Sequence, residues 1–177
     1  MTTIPEALEI AIQLQRQGNL AQAEQIYRQI LQQQPNHPTA LNLLGLIAFQ
    51  VGKFEIAIEN ISKAIQANPS NSDFYNNLGV VFKKIGKIEE AVDCYRKALS
   101  LNPKDASYYY NLGNLLKNQE QLEEAIGCYR EALAIKPDHF EAHNNLGLCL
   151  RDRGQLVGAI TCFQKALELV RIMLKLT

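Results

Sequence analysis

Residues 72–105 read SDFYNNLGVVFKKIGKIEEAVDCYRKALSLNPKD, and the reading of these 34 residues decides the fold. Tyr75, Gly79 and Phe82 stand at i, i+4 and i+7, and so do Ala91, Tyr95 and Ala98. Each set makes one stripe down one side of a helix. Gly86 separates the two stripes and Asn102-Pro103 follows the second, so the stretch predicts helix A over about Asp73–Ile85, a left-handed residue at Gly86, and helix B over about Ile88–Leu101. At about 1.5 Å per residue each helix is only about 20 Å long, too short to persist alone in water. The core must come from neighbours.

The neighbours are copies of the same stretch. Five copies of 34 residues open at Ile4, Pro38, Ser72, Ala106 and Phe140, spanning 4–37, 38–71, 72–105, 106–139 and 140–173. With positions in each copy numbered from its first residue, slot 20 is Ala throughout, as Ala23, Ala57, Ala91, Ala125 and Ala159. Slot 8 is small, as Ala11, Gly45, Gly79, Gly113 and Gly147, which lets two helices approach closely. Slot 24 is large, as Tyr27, Ile61, Tyr95, Tyr129 and Phe163. Slot 15 is Gly18, Gly52, Gly86, Glu120 and Gly154, and slot 32 is Pro35, Pro69, Pro103, Pro137 and Arg171. The expected architecture over 1–177 is therefore all-α: a single right-handed superhelical α-solenoid of five helix-turn-helix units, ten antiparallel helices in all. Arg171 in place of Pro predicts that the last helix runs on, as an extension to 177. Glu120 predicts a side-chain-bearing residue in a left-handed turn.

Composition narrows the function classes. The 18 basic and 18 acidic side chains cancel, which disfavours a partner held by its phosphates, so no nucleic acid is expected. The apolar runs are far shorter than a membrane span and the start lacks the pattern of a secretory signal, giving the expectation of a cytoplasmic protein with no membrane partner. Cys94, Cys128 and Cys162 recur at 34-residue intervals in slot 23, and with Cys149 they make no zinc-ligand or disulfide framework; small buried or half-buried thiols are expected. His139 and His143 flank Glu141, but His143 fills slot 4, where other copies carry Leu41, Tyr75 and Tyr109, and packing explains it better than a metal. Tyr108, Tyr109 and Tyr110 adjoin no basic stripe for base stacking. With no nucleophile beside a base, no phosphate loop and no paired acids, neither catalysis nor a cofactor is expected.

The pattern resembles the tetratricopeptide repeat family, on Tyr75-Asn76-Asn77-Leu78-Gly79, Phe82, Ala91, Tyr95, Ala98 and Pro103, with the likeness covering residues 4–173. Residues 76–99 and 111–147 are most similar to the superhelical repeats of O-linked N-acetylglucosamine transferases and related bacterial proteins. That resemblance implies a binding array, either self-standing or a substrate-recognition part or relative of such a glycosyltransferase; a self-assembling structural array is a third reading.

The face of helix A opposite its stripe, at slots 2, 6, 9 and 13, is expected to line a groove for a protein or peptide ligand. Slot 6 carries Asn77, Asn111 and Asn145; Asn42, Asn76 and Asn144 stand at slot 5, Asn114 at slot 9, and Tyr110 faces the same side. Asn is a poor helix former, so its recurrence needs a reason. Carboxamides that both donate and accept can hold the main chain of an extended peptide, as the asparagine ladder of the resembled transferases implies; alternatively they bridge helices within or between repeats, or sit in solvent. Lys83, Lys117 and Arg151 share slot 12 and would favour carboxylates on a ligand, or form an ordinary solvated face. The lysine of repeats that clamp chaperone termini is missing, which excludes that ligand. In the last helix, Ala166–Leu176 is polar only at 168, 171 and 175, predicting a homodimer through the C-terminal helix.

Overall fold

A computed structural model describes residues 3–176, so the extension expected to reach Thr177 ends, within the described residues, at Leu176. The described residues form ten helices and no strand: α1 (Ile4–Arg16), α2 (Leu20–Gln33), α3 (Pro38–Gln50), α4 (Phe54–Ala67), α5 (Ser72–Lys84), α6 (Ile88–Leu101), α7 (Ala106–Asn118), α8 (Leu122–Ile135), α9 (Phe140–Asp152) and α10 (Leu156–Leu176). Each odd-numbered helix begins at the residue that opens a copy of the repeat. In the third copy, helix B has the expected limits, and helix A lies one residue earlier than expected because Ile85 already caps it.

The punctuation has local causes. Thr3 accepts from the Glu6 backbone while the Glu6 carboxylate accepts from the Thr3 backbone, a capping box that satisfies two free donors at the start of α1. The amide oxygen of Asn71 and the carboxylate of Asp105 cap α5 and α7. Between the helices of each copy the chain passes through φ of +73° to +83° at four glycines and +60° at Glu120, as slot 15 predicts. At slot 8 the helices touch: a Cβ on Gly45 would lie 2.6 Å from Ile61 Cγ1 and 3.1 Å from the Ala57 carbonyl oxygen.

Two compact units, residues 1–94 and 95–177, divide the chain inside α6. In the first, Ala40, Leu44 and Ile47 of α3 share a core with Tyr27 and Ile30 of α2. One copy later, Phe74, Leu78 and Val81 of α5 share a core with Ile61 and Ala64 of α4. In these two places slots 3, 7 and 10 of a helix A are received by slots 24 and 27 of the helix B before it. In the second unit α8 packs against both α7 and α9, and α9 against α10. Tyr129 and Ala132 of α8, and Ala142 and Cys149 of α9, are sealed from solvent there. The four thiols are unpaired, Cys94 and Cys149 buried and the other two half-buried, and burial pushes those of Cys94 and Cys128 up to about 11.

Helix α10 has 21 residues where α8 has 14. Without the slot-32 proline the helix continues through Arg171, as expected. Leu167, Ile172, Met173 and Leu174 are exposed along it.

Candidate functional site

The asparagines of helix A meet in two separate places. In the first unit the Asn77 amide donates to the Asn42 carboxamide oxygen at 3.1 Å, joining α5 to α3. Asn42 is only 5% exposed, the one buried polar residue among the described residues. Slot 5 of one copy therefore meets slot 6 of the next. This is one of the arrangements the sequence allows, a bridge between repeats. Asn76 and Lys83, on the same helix as Asn77, are both half-buried, and Asn76 is engaged in an interaction of its own.

The second unit gathers more groups. The Asn145 amide of α9 donates to the Asn114 oxygen of α7 at 2.8 Å, and more distantly to the Tyr110 hydroxyl at 3.5 Å. The Asn145 oxygen accepts from the Lys117 ammonium at 3.4 Å. Asn114 accepts a second bond, 2.8 Å from the hydroxyl of Tyr129. Burial pushes the pKa of that hydroxyl far above the ordinary phenol range, so it remains a donor. The Tyr110 ring lies 4.6 Å from the His139 imidazole, tilted by 38°, and 6.2 Å from the Tyr129 ring. Asn145, Tyr110, Asn114 and Lys117 thus form one half-buried network that presents amide, phenol and ammonium groups.

The remaining expected residues fall outside that network. Asn111 is half-buried and engaged in an interaction of its own. Asn144 is exposed one residue before Asn145, on the wall of a cleft that also includes Tyr110. Arg151 is exposed and pairs with the adjacent Asp152 carboxylate at 2.8 Å. His143 contacts the Pro137 carbonyl at 2.9 Å, and His139 pairs with Glu141 at 2.9 Å.

Two participants were not singled out from the sequence, the hydroxyl of Tyr129 and the ring of His139. A signal exists for the first. Slot 24 is a core position, but in the first, third and fourth copies it is Tyr, and in the first and fourth helix A of the same copy carries an amide within reach: Tyr27 donates to Gln15 at 3.0 Å as Tyr129 does to Asn114. The second and fifth copies have Ile61 and Phe163 there.

Sequence models of the TPR repeat match residues 47–86, 81–120 and 113–150, and models of the tetratricopeptide repeat match 8–55 and 140–170. The chain belongs to the tetratricopeptide repeat family. No curated protein sequence matches it. Among solved structures it resembles MamA, at 28% identity and TM-score 0.83, over 94% of this chain and 97% of that one. YrrB, described as a TPR protein with an unusual peptide-binding site, is 23% identical with TM-score 0.73, over 94% and 86% of the two chains. PilF of Pseudomonas aeruginosa is 18% identical with TM-score 0.88, over 93% and 75%. These last two likenesses carry the fold alone. The family supports a protein-interaction scaffold. Among the described residues no helix is long and apolar enough to cross a membrane.

Proposed function

We propose that the chain is a scaffold without catalytic activity of its own that holds an extended polypeptide segment against the helix-A face, anchored in the second unit. The observation that carries this reading is the network of Tyr110, Asn114, Lys117 and Asn145. An extended peptide offers one N–H and one C=O per residue, with no partner in its own chain. The network presents a cation and a phenol that can donate to a peptide carbonyl or carboxylate, beside amides able to do either. Asn144 and Arg151 extend it along α9, and Asn111 adds an amide on α7; in the first unit Asn76 and Lys83 offer the same chemistry on their own helix, while Asn42 and Asn77 are taken up by each other. Main-chain recognition of this kind tolerates many ligand sequences, and Lys117 adds a preference for acidic ones.

A library of random linear peptides displayed on phage supplies the probe. The selected peptide is titrated by fluorescence anisotropy against the wild type and Asn145→Ala. Loss of one ligand hydrogen bond of about 1 kcal/mol weakens binding about fivefold. Equal affinity for the two proteins would show that the peptide sits elsewhere.

A further inference from the structure

Among the described residues, the slots of α10 that would receive a following helix A carry none. In the first unit, slots 24 and 27 of helix B receive the following helix A, and the slot-28 side chains Leu31 and Ile65 pack half-buried beside them. In the fifth copy the same slots are Phe163, Ala166 and Leu167. They line a cleft of about 520 Å3 together with Val170. Leu167 is 71% exposed. The cleft therefore has the form of a seat for one more helix, and an uncovered apolar seat of this kind is a site of association.

Three features choose among occupants. Where the chain would turn back to place its own next helix A, it does not turn: slots 32–34, Arg171, Ile172 and Met173, are helical. Head-to-tail stacking of another copy would insert slots 3, 7 and 10 of α1, which are Glu6, Ile10 and Gln13, where α3, α5, α7 and α9 present only apolar side chains. Glu6 is already committed to the Thr3 cap. The α10 helix itself is the better fit. Ala166, Val170 and Met173 repeat the i, i+4, i+7 spacing of an inserted helix, and the seat takes a helix running antiparallel to α10, since only four residues connect each helix B to the helix A it receives. A second α10 related by a two-fold axis runs antiparallel by symmetry, and a two-fold contact closes at two chains.

We infer that two copies of this chain associate through their α10 helices, each lying in the other's cleft. The cleft shares Tyr110, Asn144 and Asn145 with the proposed peptide site, so association is tested on α10, at Leu167 and Met173, and peptide binding at Lys117, which does not line the cleft. Sedimentation velocity of the full chain at tens of micromolar is expected to give the mass of two chains. Leu167→Lys and, on the extension, Met173→Lys should each weaken association tenfold or more with unchanged far-UV circular dichroism, since both side chains are already exposed in the single chain. Ile10→Lys should leave the dimer intact. A single-chain mass for the wild type at every concentration, dimers that survive both lysine variants, dissociation by Ile10→Lys, or growth beyond two chains would each overturn the proposal.

Discussion

The same slot arithmetic produces different sites in the two units. In the first, an amide pair is closed on itself: Asn42 is buried, Asn77 donates to it, and the surroundings are the apolar side chains of α3 and α5. In the second, the equivalent asparagine of α9 finds an open network with a phenol and an ammonium group. The difference lies in the residues at slots 9 and 12, which are Leu46 and Phe49 on α3 but Asn114 and Lys117 on α7. A repeated asparagine is thus a brace where its neighbours are greasy and a candidate ligand group where they are polar. Burial raises the value of a hydrogen bond within the protein but withdraws it from any ligand.

The contrast can be broken most forcefully in the first unit. Asn42→Ala removes the acceptor of a buried pair and should cost about 1–3 kcal/mol in urea denaturation, with peptide affinity unchanged. A neutral result would mean that the pair braces nothing. Asn145→Ala should do both things by halves, losing about 1 kcal/mol of stability and about fivefold in peptide affinity, whereas Asn77→Ala should lose stability with a smaller change in affinity. Equal affinity losses from the two would erase the distinction between the units. Lys117→Met tests the cation alone: stability should hold within about 0.5 kcal/mol, while the salt dependence of binding an acidic peptide becomes shallower. The smallest effect concerns the turns. The first unit passes through positive φ at Gly18, Gly52 and Gly86, while the second does so at Gly154 and at Glu120. Glu120→Gly should stabilise by up to about 1 kcal/mol, because glycine enters the left-handed region without the Cβ clash, partly offset by its greater freedom when unfolded. A loss above 1 kcal/mol would reveal a role for the Glu120 carboxylate.

Much of this fold is legible in the sequence because repetition averages out local ambiguity. One copy leaves the limits of its helices open to a residue or two; five copies in register show that slot 1 opens helix A and slot 17 opens helix B. The positive φ at Glu120 was readable for the same reason, since four glycines define what that slot requires. The run-on of α10 followed from a proline missing where four copies have one.

The site was only partly legible. That slot 6 carries asparagine is plain from the sequence, but the partner of each amide is set by residues roughly 30 positions away, on the helix A of another copy, at separations where a few tenths of an ångström decide whether a bond exists. Asn42 and Asn144 occupy the same slot, yet Asn42 is buried in the bridge to α5 while Asn144 is exposed on the wall of the cleft beside α10. The sequence by itself determined the period, the helix pairs, the turns and the stripe each helix buries, since these depend on side-chain size and backbone freedom at fixed spacing. Only the tertiary structure decided which carboxamides are joined to one another, that the Tyr129 hydroxyl joins them, and that Leu167 stays exposed beside them on α10, since hydrogen bonds and burial depend on what lies across the interface rather than along the chain.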